Sequence, residues 1–354
     1  MRLLVVLVAL WVGECAAETL RIYNWKDYID PEVLTRFQQE TGISVDYRTY
    51  TTAQELDEAL RGASNFDLVV PSHFQLRRLI SEGRLQPIDA SRLTRRTNLD
   101  PKILASISGF EGAGRYMVPY LWSTVGIAVD RKAVERALGS SMPRSWGMLF
   151  QQNQAERLAA CGMGWLDAPE EVFSLWMNLR GKRLREASAR AIGDAGLQIS
   201  LRAASISALN NEAYIEDLVR GKLCLAMAWS GHALAAASRR PGLEYVIPSE
   251  GALMTIDGWA IPTSSRHPQL AYRFIDYMLD PANASSNTRA TFFYSPLRSD
   301  LPEMVQLAAQ HPQLVPNQDE RRRLYFLEEL DHERKRAIDR EWSVLKKGFS
   351  GAAP

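Results

Sequence analysis

The sequence has 354 residues, of which 46% are hydrophobic and 23% are charged, and its formal net charge is +1. This length allows two domains, and the composition is ordinary for a globular protein. The near-neutral charge gives no reason to expect a nucleic acid or an anionic membrane surface as a partner.

The first 17 residues predict a secretory signal peptide. Arg2 supplies a positive charge, residues 3–12 are apolar, and the small residues Cys15 and Ala17 precede an expected cut ahead of Glu18. A lipid-anchored protein would need a small residue before its cysteine, where this chain has Glu14. We therefore expect a soluble protein that is exported and loses its signal peptide; the periplasm as its compartment is implied by the family resemblance described below.

Removal of the signal peptide leaves two cysteines, Cys161 and Cys224. In an oxidising compartment they indicate one disulfide. Two buried free thiols are the alternative at this point.

The mature chain opens with alternating apolar and polar residues at 20–24, which predict a strand. A turn carrying Trp25, Asp27 and Tyr28 follows, and Pro31 then favours the first turn of a helix. Ligands of open α/β sheets bind at the carboxyl ends of strands, and ring faces beside a carboxylate suit an organic ammonium. The alternative is a helix start with packed aromatic rings and a surface aspartate.

Strand and helix patterns then alternate, with strands expected at 43–47 and 66–72 and helices at 52–62 and 74–83. This alternation predicts a parallel sheet with both faces covered. Ser72 ends its strand as Trp25 ends the first one, so we expect both at one crevice.

Two extended segments, 121–130 and 250–262, are expected to cross between a first and a second lobe. Between them, Glu170 and Glu171 stand at the predicted start of a helix, where acids also simply complement the helix dipole. A buried strand ends at Trp229, and His232 begins the next helix.

An enzyme is not expected. The histidines show no metal-ligand spacing, and no Gly-x-Ser-x-Gly motif or phosphate-binding glycine loop is present. Adjacent helical residues such as Glu170 and Glu171 point about 100° apart, so they would not converge on one bond. We expect neither a cofactor nor a metal.

Four stretches taken together, 23–28, 67–72, 166–173 and 250–257, resemble the periplasmic polyamine-binding proteins of bacterial ABC importers. The resemblance implies a type II periplasmic binding protein fold, in which two α/β lobes joined by hinge strands close on a ligand. It implies lobes of about 18–125 plus 259–300 and 126–258 plus 301–354. It also implies a small-molecule amine ligand, an inner-membrane ABC permease as partner, a monomer, and pairing of Cys161 with Cys224.

The same resemblance implies a role for each residue of the ligand cleft. Trp25 and Tyr28 would stack on the methylene chain, Asp27, Ser72 and Glu170 would contact amines, Trp229 would form a wall, Asp257 would bind an ammonium, and Phe293 stands where the family has a tyrosine.

Three further positions depart from the family pattern, and at one of them Thr255 replaces an aromatic residue. Lys26 replaces a small serine and His232 replaces a carboxylate, so both changes remove negative character. Lys26 could turn to solvent or pair with an acid, which would leave polyamine binding intact. Alternatively, the ligand is an amine with an acidic or capped end, small-ligand binding has been lost, or the protein senses a ligand without transporting it. His232 could titrate near neutral pH or make one ordinary hydrogen bond.

Overall fold

The computed structural model describes residues 18–62, 65–110 and 112–351. The predicted signal peptide lies outside these ranges. Within them, no helix has the length and apolar character that crossing a bilayer requires.

Strands and helices alternate along most of the chain. The strands are β1 (Thr19–Trp25), β2 (Ser44–Tyr50), β3 (Leu68–Val69), β4 (Val118–Asp130), β5 (Met163–Trp165), β6 (Ala208–Leu209), β7 (Leu225–Trp229), β8 (Leu243–Val246), β9 (Ala252–Trp259) and β10 (Leu324–Phe326). The helices are α1 (Pro31–Thr41), α2 (Ala53–Arg61), α3 (Leu76–Ser81), α4 (Pro101–Ser108), α5 (Arg131–Leu138), α6 (Gly147–Phe150), α7 (Gln152–Ala159), α8 (Pro169–Asn178), α9 (Ala189–Ser200), α10 (Ala213–Val219), α11 (Ser230–Arg239), α12 (Pro268–Met278), α13 (Pro281–Thr291), α14 (Pro302–Gln310), α15 (Gln318–Arg322) and α16 (His332–Gly351).

Local sequence signals determine where the first helix begins and ends. The Asp30 side chain accepts a hydrogen bond from the Glu32 amide, and Pro31 needs no amide donor at the first helical position. Gly42 ends the helix with φ at 71°, a left-handed conformation that glycine adopts without steric cost. The helix therefore begins directly after the turn that carries Trp25, Asp27 and Tyr28, and that turn is held between two regular elements.

A three-stranded parallel sheet in the order β2–β1–β3 lies in the first lobe. Because the strands are parallel, their carboxyl ends meet at one edge of the sheet. Trp25 and Tyr50 end β1 and β2 at this edge, and Ser72 follows β3. The larger sheet has the order β10–β9–β4–β7–β5–β6, with β8 also paired to β4.

Two strands of the larger sheet, β4 and β9, run through both hydrophobic cores. The beginning of β4 packs in the first core, with Leu121 and Trp122, whereas its end packs in the second, with Ile127 and Val129. The two strands pair in antiparallel fashion, and bridges such as Ser72 to Asp257 join β9 to the first lobe. The predicted architecture of two α/β lobes joined by crossing strands is confirmed.

The limits of the two lobes remain a prediction. We expected the segment 301–354 in the second lobe, but Met304, Leu307 and Leu314 pack in the first core. Residues of α16, such as Leu345, pack in the second core. This packing would assign α14 to the first lobe and α16 to the second.

The disulfide predicted between Cys161 and Cys224 is present, with Cα atoms 5.5 Å apart. The residue after Cys161 explains how the two segments come so close. Gly162 has φ at 85°, and a Cβ atom there would lie 2.1 Å from the Lys222 carbonyl oxygen. Only glycine allows this backbone approach, which places both cysteines at the edge of the second core.

Replacing both cysteines with serine should lower the free energy of unfolding by about 2–4 kcal/mol. The chain-entropy model assigns about 4 kcal/mol to a loop of this length, and removal of a native disulfide typically costs about 2–5 kcal/mol. Urea unfolding of the double variant and of the oxidised wild type measures the difference. The wild type unfolded with a reductant is the control, and an unchanged free energy in both cases would contradict a stabilising disulfide.

Candidate ligand-binding site

A cleft between the two lobes encloses a cavity of about 100 Å³. This volume holds several water molecules, so a small organic molecule can occupy it. The described residues that line the cleft are Trp25, Lys26, Asp27, Tyr28, Tyr50, Thr51, Ser72, Phe74, Ser123, Glu171, Asn211, Glu212, Trp229, His232, Thr255, Asp257 and Phe293. They include every site residue expected from the sequence except Glu170.

Glu170 is not among the residues that line the cleft, and its expected contact with an amine stays a prediction. Its carboxylate lies 3.7 Å from the Lys335 ammonium, on the side of α8 that faces α16. The neighbouring Glu171 lines the cleft instead. Adjacent residues of a helix point about 100° apart, so only one of the two glutamates can face the ligand.

Two hydrogen bonds to backbone atoms hold the turn after β1 in place. The Lys26 amide donates to the Tyr50 carbonyl at 2.9 Å, and the Tyr120 hydroxyl donates to the Tyr28 carbonyl at 2.5 Å. Asp27 has φ at 57°, a left-handed conformation that aspartate tolerates better than most residues. These contacts turn three consecutive side chains, at 26–28, toward the cleft.

Asp257, on the crossing strand β9, is the most deeply buried acid of the cleft and is only 5% exposed. The Tyr28 hydroxyl donates to one of its oxygens at 2.5 Å, and the Ser72 hydroxyl donates to the other. Burial raises the pKa of this carboxyl to about 6, against the opposing effect of the two hydrogen bonds. A cation placed beside Asp257 would favour its ionised form.

Glu171 supplies a second acid from the opposite lobe. It lies in the first turn of α8, and burial, together with the nearby Glu170, raises its pKa to about 7. The cleft therefore has one acid on each lobe whose proton is held unusually tightly. A cation bound beside either acid would favour loss of this proton to solvent.

Aromatic rings form the apolar walls between these acids. The Tyr28 and Phe293 ring centroids are 4.5 Å apart, and those of Trp25 and Tyr50 are 4.6 Å apart. A Cβ atom at Gly231, the second residue of α11, would lie 2.6 Å from the Phe293 ring. Glycine at this position thus lets the second lobe approach the aromatic wall of the first.

Lys26 and His232 both interact with other side chains of the protein. The Lys26 ammonium forms an ion pair with Glu212 across the cleft. His232 Nδ1 lies 3.1 Å from the Tyr214 hydroxyl oxygen, and burial lowers the histidine pKa to about 4. His232 is therefore neutral near pH 7 and makes an ordinary hydrogen bond, which removes the basis for a pH effect from this residue.

Several residues of the cleft were not identified from the sequence: Tyr50, Thr51, Phe74, Ser123, Glu171, Asn211 and Glu212. Tyr50 ends β2 beside β1, so the rule that placed Trp25 and Ser72 would also have found it. Asn211 and Glu212 follow the two-residue strand β6, which carries too little pattern to predict. Among the described residues, no group of histidines, cysteines and carboxylates could hold a metal ion.

Comparisons with known proteins agree with this architecture. The family of bacterial extracellular solute-binding proteins matches residues 32–315. The chain is 33% identical to the putrescine-binding periplasmic protein PotF of Escherichia coli, over 97% of this chain and 95% of that protein. It is 29% identical to the putrescine-binding periplasmic protein SpuD of Pseudomonas aeruginosa, over 94% of this chain and 92% of that protein.

A solved structure shares the fold. The spermidine/putrescine ABC transporter substrate-binding protein PotD of Streptococcus pneumoniae superposes with a TM-score of 0.77 at 23% identity. The match covers 94% of this chain and 100% of that one. The predicted type II periplasmic binding fold is confirmed.

Replacing Tyr28 with phenylalanine should raise the pKa of Asp257 above its value of about 6, because one of the two hydrogen bonds to the ionised carboxylate is lost. Titration of the carboxyl carbon by NMR measures the change. Tyr47→Phe is the matched control, since this half-buried tyrosine lies outside the cleft lining. A pKa of Asp257 that stayed the same in Tyr28→Phe would show that the hydroxyl does not stabilise the carboxylate.

Proposed function

We propose that this chain, which belongs to the family of bacterial extracellular solute-binding proteins, binds a short polyamine of the putrescine type in its cleft. In this proposal the lobes close on the ligand, and the loaded protein delivers it to an inner-membrane ABC permease. The protein acts in the periplasm as a monomer after its signal peptide has been removed. The names of PotF and SpuD, both putrescine-binding periplasmic proteins, support this choice of ligand.

The observation that carries the proposal is the environment of Asp257. A buried carboxylate that accepts hydrogen bonds from Tyr28 and Ser72 is orientated to receive a cation. Aromatic rings beside it attract an ammonium through their faces and cover an alkyl chain. Glu171 on the other lobe offers a second acid, as a molecule with an amine at each end requires.

An amine with an acidic end is less well supported. That alternative depended on two cationic side chains facing the ligand. The Lys26 ammonium already pairs with Glu212, and His232 is neutral near pH 7. Neither side chain is therefore a free cation for a ligand carboxylate, and a ligand with plain ammonium groups suits the site better.

Replacing Asp257 with asparagine should weaken putrescine binding by about tenfold or more, which corresponds to about 1.4 kcal/mol. Asparagine keeps the shape of the side chain and an acceptor oxygen for Tyr28, but it removes the charge. Titration calorimetry on protein freed of co-purified ligand gives the affinity. An unchanged affinity would falsify the assignment of Asp257 as the ammonium site.

The adjacent glutamates of α8 provide an internal control for the same measurement. Glu171→Gln should also weaken binding by about tenfold, because a charge-assisted hydrogen bond to an ammonium is lost. Glu170→Gln should leave the affinity unchanged, since Glu170 faces Lys335 rather than the cleft. The reverse order of effects would return the ligand role to Glu170.

The affinity for putrescine should fall by at least about tenfold between pH 8 and pH 5, the part that Asp257 alone contributes. With a pKa of about 6, Asp257 is ionised at pH 8 and largely protonated at pH 5, where its proton must leave before an ammonium can bind. Protonation of Glu171 would add to this loss in the same direction. Calorimetry near pH 6 in buffers of different ionisation enthalpy should also detect proton release on binding. Affinity that is constant with pH, without proton release, would contradict the buried acids as the ligand partners.

A further inference from the structure

The cleft has a deep end and a rim, and their acids differ in how they are partnered. At the deep end, Asp257 is 5% exposed and no described cation pairs with it. At the rim, the side chains of Lys26 and Glu212 are 46% and 48% exposed and form an ion pair with each other. Lys26 comes from the turn after β1, and Glu212 immediately precedes α10 in the second lobe. The protein therefore places its own ammonium group on the acid at the mouth of the cleft.

The chemistry of this ammonium is that of a polyamine end. A lysine side chain carries a primary ammonium on a flexible chain of four carbons. The same aminobutyl unit makes up part of a linear triamine such as spermidine. A ligand long enough to extend from Asp257 to the rim would bring an equivalent group to Glu212.

We propose that Lys26 is a tethered substitute for the distal ammonium of a longer polyamine, so that the cleft selects diamines over triamines. This inference rests on the proposed function. With Lys26 in place, Glu212 is already neutralised, and a third ligand charge at the rim meets the charge of Lys26. Asp257 and Glu171 remain as the partners for the two ends of a diamine.

The electrostatics of the rim support this role. The hydrogen bond and charge of Glu212 raise the pKa of the Lys26 ammonium, and the adjacent Asp27 adds to the effect. Lys26 thus stays charged near neutral pH, paired with Glu212 and next to the charge of Asp27. An ion pair exposed to this degree contributes little to holding two lobes together. The main effect of this ion pair is on which charged ligand groups can bind at the mouth of the cleft.

The test compares the affinities of putrescine and spermidine in the wild type and in Lys26→Ser, measured by calorimetry on ligand-free protein. The serine variant should bind spermidine about tenfold more tightly relative to putrescine than the wild type does. The ratio of the two affinities cancels any general effect of the substitution on lobe closure. Lys26→Arg keeps a cation beside Glu212 and should retain the preference for the diamine.

Two further variants distinguish the effect of the Lys26–Glu212 ion pair from an effect of the protein's net charge. In the double variant Lys26→Ser with Glu212→Gln, the gain in spermidine affinity should disappear, because the freed acid is gone. Lys222→Ser removes one positive charge from another exposed ion pair, that with Asp217 at 3.4 Å outside the cleft lining, and should not change the ratio.

The outcomes are distinguishable. A gain in Lys26→Ser that the double variant loses supports the proposal. Putrescine binding that depends on Asp257, with the same spermidine ratio in the wild type and in Lys26→Ser, overturns the role of Lys26 and leaves the proposed function standing. A wild type and variants that bind neither amine overturn the proposed function and the role of Lys26 together.

Discussion

The burial of one carboxylate on a strand shared by both lobes is the constraint on which the site depends. Asp257 belongs to β9, which passes from the second core to the first, so its position is fixed by the same pairing that joins the lobes. A carboxylate so little exposed is stable only with polar partners. Tyr28 and Ser72 provide them from the ends of two strand segments in the first lobe, which ties the ligand-facing turn of β1 to the connection between the lobes.

The second lobe also contributes residues to the cleft. Glu171 faces the cleft from a helix start, and Gly231 lets α11 approach the ring of Phe293. The aromatic rings belong mainly to the first lobe, whereas the second contributes charge and shape. This division suits a clamp in which one lobe holds the alkyl chain and the other completes the charge balance.

The sequence predicted the architecture and most of the cleft because those features depend on strong local patterns. Alternating strands and helices indicated a parallel sheet, and the ends of strands indicated where Trp25 and Ser72 would meet. Acids at a helix start do not show which of Glu170 and Glu171 faces the cleft, because a shift of one residue on a helix turns a side chain by about 100°. Glu212 could not be found because it follows a two-residue strand, and the partner of Lys26 depends on how the two lobes face each other.

The crossing strands also have a consequence for the order in which the chain can acquire its structure. The first core needs both Leu20 and Leu307, and the second needs both Val125 and Leu345. Neither core is complete until nearly the whole polypeptide is present, so completing each core depends on contacts between residues far apart in sequence, which form slowly. A chain truncated before α16 would keep all the acids of the cleft, but it would leave the second core without its closing helix.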